Sequence, residues 1–435
     1  MSKFKWLLIA SLVIMLLAVP MFGACGEEEV ITPPPSDGGE QPPVEYTIYI
    51  GGSFPLTGPY PEDGAAVLKG FQDYAAYVNE THKLAPWRDE TFPENITLEV
   101  KFLDDEASPE KALTSYEALQ AEGLTFYRIS GSAIATAMLE VLETDQVGAT
   151  TMASGPYLLT PPRTIFSNYP IYTDQCAAIA DWFMDNWEED RTPRVAYFTN
   201  DSFGRSLLIP EMDAYLEGLG YEIVGQQIVG TVLVGAPPTT ALGWLKDNEV
   251  DLTLGAMLLV GSEPSMLEAE RLGMGPGLDY EITFGFCSPA HLATYVRDMG
   301  TAGNGCVVAG SYAPLTHTYL PGIAFCNDLL MEYRPDEAED MHIMYPHGIV
   351  EAMIQVEALR LAMLEVPADQ LTSADVLNYG FYMINNLDTG SIIPTPITYG
   401  PDDVEGADEV RVDQAQNGEV VLLGTWPLRH LFTSE

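Results

Sequence analysis

Tyr46-Thr47-Ile48-Tyr49-Ile50-Gly51-Gly52-Ser53-Phe54-Pro55-Leu56-Thr57-Gly58-Pro59 begins as a β-branched and aromatic run, passes two glycines, and opens into a loop of small, hydroxylated and proline residues. The run from Tyr46 to Gly52 predicts a strand. Past the loop, Val67, Leu68, Phe71, Tyr74, Ala75 and Val78 recur at three- and four-residue spacing, so residues 64–80 predict a helix burying one face on a sheet. Further strands are predicted at Ile96 to Leu103, with Ile96, Leu98, Val100 and Phe102 on one face, at Leu124 to Ile129 and at Val147 to Met152. Ser108-Pro109 opens the helix between the second and third, Ser as cap and Pro at the first helical position.

A second alternating set follows Pro170: helix Asp174 to Trp187, strand Arg194 to Thr199, helix Arg205 to Leu219, strand Tyr221 to Val229, helix Thr239 to Asn248 and strand Asp251 to Leu259. Further units are read at Ser262 to Gly273, Glu281 to Phe286, Ala290 to Met299 and Cys306 to Ser311. Alternation of strands and helices is the pattern of parallel sheets covered on both faces, and two such sets predict an α/β fold of two Rossmann-like lobes. A long helix from Pro346 to Leu364 should pack on a sheet, and Asn417-Gly418 between Val410-Arg411-Val412 and Val420-Val421-Leu422 predicts a β-hairpin.

The start of the chain has another character. Lys3 and Lys5 precede an apolar run from Trp6 to Phe22, then Gly23 and Ala24 lead to Cys25. This reads as a signal peptide over residues 1–24, too short to span a bilayer comfortably and without a basic stop-transfer flank. Phe22-Gly23-Ala24-Cys25 resembles a bacterial lipoprotein box, with Phe22 where an aliphatic residue is usual, so Cys25 is read as the lipidated residue. Residues 25–45, rich in Glu, Pro, Gly and Ser, read as a flexible acidic linker. The remainder is long enough for about two domains and has no second apolar run that could span a membrane.

The formal charge of −44 argues against nucleic acid as a partner, because phosphate contacts need clustered Lys or Arg. Acidity of this kind keeps a surface solvated. Cys176, Cys287, Cys306 and Cys326 remain besides Cys25, and in an exported protein four thiols permit three pairings between which the sequence does not choose. None forms a C-x-x-C pair, and His342 and His347 are not at metal-ligand spacing, so no metal site is read.

No G-x-S-x-G elbow, phosphate loop, H-E-x-x-H helix or G-x-G-x-x-G turn occurs, so neither a common catalytic signature nor a cofactor site is present. Asp104-Asp105-Glu106 follows a strand and precedes a capped helix, and reads as a solvated turn. At the strand ends lie small, hydroxylated and aromatic residues: Ser53 to Tyr60, Ser130-Gly131-Ser132 and Ala153-Ser154-Gly155. Open α/β sheets bind ligands outside the carboxyl ends of strands, where helix N-termini present free N–H groups. Ser132 could offer its hydroxyl and neighbouring N–H groups to a carboxylate, or serve only as an N-cap.

Taken together, Ile50 to Pro59, the helix ending Tyr77-Val78-Asn79-Glu80, Asp104-Asp105 before a Pro-initiated helix, and Val195-Ala196-Tyr197-Phe198-Thr199-Asn200-Asp201-Ser202-Phe203-Gly204 resemble type I periplasmic binding proteins, especially the branched-chain amino-acid receptors of ABC transporters. The resemblance runs in order over nearly the whole chain from residue 46. It implies two Rossmann-like lobes joined by three crossover strands with a ligand cleft between them, one lobe from 46–169 and 313–395, the other from 170–312 and 396–435. It implies ligand contacts at Tyr60, Ser132, Ala153, Ser154, Gly155 and Phe203. Amino-acid receptors hold the ligand ammonium with a second-lobe acid and a nearby Tyr, whereas the matching stretches here read Phe286-Cys287-Ser288 and Met257-Leu258-Leu259, placing Cys287 and Leu258 at those positions. A buried ammonium without a counter-charge is costly, so the expected ligand has a carboxylate or amide and an apolar or aromatic body.

The expectation is therefore a lipid-anchored solute-binding protein on the outer face of the cytoplasmic membrane, serving ABC permease subunits and transforming nothing. A ligand-sensing receptor for a membrane signalling partner is the alternative on the same fold. An exported hydrolase is the alternative from another class.

Overall fold

The first βα unit forms as its residues dictate. In the computed structural model, which describes residues 44–432 apart from 231–235, 288–295 and 297–298, β1 (Tyr46–Phe54) runs parallel to β2 (Ile96–Asp104), Tyr46 opposite Ile96. The signal peptide, Cys25 and the linker to Pro43 lie outside the described residues, as does most of the unit read over Ala290 to Met299. Between β1 and β2, α1 (Pro61–Thr81) has Pro at its start, where no N–H is needed, and buries Val67, Phe71, Tyr74 and Val78. Each such side chain contributes about 1.5–3 kcal/mol by leaving water. On β2 the apolar face fades along the strand: Ile96 and Leu98 are buried but Phe102 is exposed.

The chain continues through α2 (Pro109–Ala121), β3 (Tyr127–Ile129), α3 (Ser132–Asp145), β4 (Ala149–Thr151), α4 (Pro156–Leu159) and β5 (Ile165–Ser167), with β3, β4 and β5 parallel neighbours. β1 lies against β3 at Gly52, whose φ is +151° and whose Cβ, if it had one, would stand 2.3 Å from the Arg128 amide nitrogen. Only glycine allows this approach.

A seven-stranded sheet takes up the second set, in the order β12-β11-β10-β9-β8-β6-β7. Its elements are α5 (Tyr172–Asp185), β6 (Arg194–Asn200), α6 (Pro210–Leu219), β7 (Glu222–Val229), α7 (Thr239–Asp247), β8 (Leu252–Ala256), α8 (Leu259–Arg271), β9 (Thr283–Cys287) and β10 (Val307–Gly310). β6 to β10 pair in parallel. The helix expected from Arg205 is broken: Phe203–Leu207 is a 3-10 turn and α6 starts at Pro210, which lacks the N–H that an interior helical position donates but suits the first turn. The chain then returns to the first sheet system as α9 (Pro321–Tyr333) and α10 (Tyr345–Glu365), and finishes with the hairpin β11 (Glu409–Gln416) and β12 (Glu419–Pro427), antiparallel to β10. It thus passes between the two sheet systems three times, after β5, after β10 and before β11.

Candidate functional site

The carboxyl ends of β1, β2 and β3 meet at a buried carboxylate. Asp105 is fully buried and accepts hydrogen bonds from Ser53 Oγ and Ser130 Oγ, both at 2.7 Å, and from the Ala107 amide at 2.9 Å. Asp104 accepts from the Leu56 and Thr57 amides and the Thr57 hydroxyl. The acidic stretch therefore ties the first loop to the strand ends. The expectation of a solvated turn fails at Asp105, because its hydroxyl partners come from β1 and from the end of β3, which sequence distance does not reveal.

Arg128 on β3 is also buried, 1% exposed. Its Nε donates to Glu351 at 2.8 Å, a second N–H donates to the Ser53 carbonyl at 3.1 Å, and the guanidinium lies over the Phe54 ring. Burial pushes the Glu351 carboxyl up while Arg128 holds it down. His347, one turn before Glu351 on α10, is kept neutral: burial first, then Arg128, depress its pKa well below the ordinary value. It stacks on Tyr312 at 3.7 Å and meets the Tyr169 hydroxyl through Nδ1.

At the start of α3, Gly131 holds the cap position and Ser132 is the first helical residue, with no side-chain cap bond. The Ser132 hydroxyl stands 3.4 Å from that of Tyr172, the first residue of α5. The Tyr172 amide donates to the Ser154 carbonyl, and its ring lies 5.4 Å from Phe203. Phe203 is held by a tight turn in which Asn200 Oδ1 accepts from the Ser202 and Gly204 amides, both at 2.9 Å. A Cβ on Gly204 would meet Thr199 Oγ1 at 2.1 Å, so the turn requires glycine.

These groups enclose a cavity of ≈170 Å³. One side is made by Tyr60, Asp63, Val67, Arg128 and Ser130 to Ile134, with Met152 and Ala153; the other by Tyr169, Tyr172, Ser202, Phe203 and Leu258. Burial first, then the Asp105 charge, raises the Tyr60 hydroxyl to about 12, and burial chiefly raises Tyr172 likewise to about 12, so both stay protonated donors. Asp63, in the first turn of α1, is pushed up to about 7 by burial and then by Glu62, and its Oδ1 lies 3.4 Å from His342 Nε2.

Of the residues singled out in the sequence, Tyr60, Ser132, Ala153, Phe203 and Leu258 line this cavity. Ser154 is buried behind the wall and bonds α5 through its carbonyl, Gly155 precedes α4, and neither is among the lining residues. Cys287 also stands off the lining: its thiol turns to the Gly255 carbonyl at 3.4 Å and to Cys176 at 3.9 Å. Asp63, Arg128, Tyr169 and Tyr172 line the cavity and were not singled out. Asp63 sits in the first turn of α1, three residues after Tyr60, and that proximity is the signal that points to it; Tyr172 has no such neighbour in sequence, and Arg128, inside an apolar strand, carries no signal. Among the described residues, no group of three or more His, Cys, Asp or Glu is arranged to hold a metal ion.

A family model described as periplasmic binding protein matches residues 47–391. Among solved structures, a branched chain amino acid ABC transporter protein from Thermus thermophilus with bound valine is 20% identical, with a TM-score of 0.75 over 90% of this chain and 97% of that one. A fatty acid ABC transporter substrate-binding protein from Thermomonospora curvata is 18% identical, with a TM-score of 0.73 over 89% and 94%. A solute binding protein of an ABC transporter from Rhodopseudomonas palustris, in complex with 3,4-dihydroxy benzoic acid, is 16% identical, with a TM-score of 0.69 over 88% and 98%. At these identities the likeness is one of fold. A search of curated proteins finds no match.

Proposed function

Because the chain belongs to the periplasmic binding protein family, we propose that it is the extracytoplasmic solute-binding subunit of an ABC importer, tethered through a lipid on Cys25. Its lobes are 46–169 with 313–395 and 170–312 with 396–435. They close by a hinge motion on the three connecting segments.

The observation that carries this reading is the cavity where the start of α3 faces Tyr172 and Phe203. Its ≈170 Å³ is close to the 150 Å³ at which an engineered cavity accepts benzene, so the ligand is about one ring or a short branched chain in bulk. Val67, Ile134, Met152 and Leu258 suit an apolar or aromatic body. The free N–H groups of α3, with the Ser132 hydroxyl, suit a carboxylate or amide oxygen. Asp63, whose Oδ1 has His342 Nε2 at 3.4 Å, suits a hydrogen-bond donor at the far end of the same ligand, because Arg128 is engaged by Glu351 and Ser53. The ligand class is a small organic acid or amide carrying a hydroxyl or amino group. The relatives holding valine and 3,4-dihydroxy benzoic acid support a ligand of this size.

A thermal-shift panel of benzoate, hydroxybenzoates, phenylacetate, valine, leucine, their amides and glucose tests this. A ligand at 100 times its dissociation constant stabilises the folded state by about 2.7 kcal/mol, a shift of several degrees. Hydroxy or amino acids should outperform the bare acids in the wild type and lose that advantage in D63N. Absence of a shift with every acid and amide refutes the binding reading, and an unchanged preference in D63N removes Asp63 from the site. Mass spectrometry of the mature N-terminus tests the lipid: an unmodified Cys25 leaves the binding fold and removes the tether.

A further inference from the structure

The sequence leaves three pairings open for four thiols; the fold separates them. Cys326 lies in the core between α9, α1 and α10, and Cys306 in the core beneath α7 and α8. Cys176 on α5 and Cys287 at the end of β9 share a third core, with their sulfur atoms 3.9 Å apart and no exposure on either residue. No other pair of these thiols makes a contact among the described residues.

We propose that Cys176 and Cys287 form a disulfide in the exported protein, joining the second turn of α5 to the C-terminal end of β9. The inference rests on export, and not on the identity of the ligand. The step is an exchange: the two thiols give up two protons and two electrons, one S–S bond forms, and the disulfide of an exported thiol–disulfide exchange partner is reduced to two thiols. Exchange requires a thiolate. Burial, then Cys176, push the Cys287 thiol well above its ordinary range, so the bond is made while the chain folds and is closed to reagents afterwards.

The bond has a place in the binding site. Tyr172, one turn before Cys176, forms the cavity wall with Phe203. Cys287 pairs with Ala256, two residues before Leu258 on the same wall. A covalent link between α5 and β9 fixes this half of the cavity as one body, so that closure moves it without loosening Tyr172 from the strand ends.

Peptide mapping tests the proposal on the full chain exported by a bacterial host and prepared without reductant. The protein is alkylated in denaturant before and after reduction. The expected result is a cross-linked peptide pair joining Cys176 to Cys287 with a mass deficit of two hydrogens, while Cys306 and Cys326 alkylate without reduction. Alkylation of all four without reductant overturns it, as does a cross-link through Cys306 or Cys326. The bond spans 111 residues, and cross-links over loops of that length stabilise substantially, so chain made in a reducing compartment should melt roughly 5–8 °C lower than exported chain. C176A and C287A should each remove that difference, and equal melting of the reduced and exported wild type also overturns the proposal.

Discussion

Ser132 can be read from the residues alone as a helix cap or as a ligand contact, and the backbone separates the two. Gly131 occupies the cap position, in extended geometry, and Ser132 has no bond to its own helix through its side chain. Its hydroxyl stands 3.4 Å from that of Tyr172, and both residues line the cavity. S132A should therefore weaken binding of the best acid found by about tenfold, the loss of roughly one good hydrogen bond, while the melting temperature of the empty protein stays within about 1–2 °C. Calorimetry and a melt on the same preparation check this; a large drop in melting with unchanged affinity would make Ser132 structural. Asp105 goes the opposite way. D105A leaves Ser53, Ser130 and the Ala107 amide without their shared acceptor in a fully buried place, and should cost about 2–4 kcal/mol by denaturant unfolding. A cost under about 0.5 kcal/mol would return it to a solvated turn.

At the scale of elements, the signals that survive in sequence are those each element carries by itself. The period of α1, the Pro at its start and the Asn417-Gly418 turn between β11 and β12 all appear where expected, because propensity and turn chemistry are local. α10 shows what local reading misses. It is predicted from its apolar spacing, yet it also buries His347, Glu351 and Gln355, four residues apart on one stripe. Gln355 bonds the Gly51 amide and carbonyl and the Thr150 hydroxyl, Glu351 bonds Arg128, and His347 meets Tyr169. Each polar group is matched by one from a different strand or segment, so nothing in the helix alone distinguishes the stripe from a wet face. A double-mutant cycle tests its central pair. E351L strands a buried guanidinium and should cost about 3–5 kcal/mol, R128M alone strands the carboxyl, and R128M with E351L removes both charges and should cost less than E351L alone. Additive costs would show that the two side chains do not depend on each other.

The whole molecule is legible as two βα sets because alternation of strand and helix repeats over hundreds of residues. The connections between the sets are not, since they depend on segments far apart in sequence. Glu405 lies on the third of these connections. It pairs with Ser167 as an isolated bridge, and its carboxylate accepts from the Ile171 amide at 3.4 Å, so it joins the first connection to the third. Burial pushes its pKa up to about 8, with Asp174 and Asp403 adding to the rise and the Ile171 amide opposing it. In the unfolded chain a Glu titrates near 4.3. Between these values the folded state keeps a proton that the unfolded state has released, so stability falls as pH rises through the window and levels off above about 8. Asp63, raised to about 7, acts in the same direction. Surface acids also repel one another more as pH rises, which makes the wild-type slope a sum, so the variant comparison isolates Glu405. The wild type should melt several degrees higher at pH 5.5 than at pH 8.5, and E405Q, which keeps an acceptor for Ile171 and loses the charge, should shrink that gap by roughly 3–5 °C. Thermal melts of both proteins at both pH values decide it. An E405Q gap equal to the wild-type gap would mean that Glu405 is ionised without cost where the connections meet, leaving the pH response to Asp63 and the acidic surface.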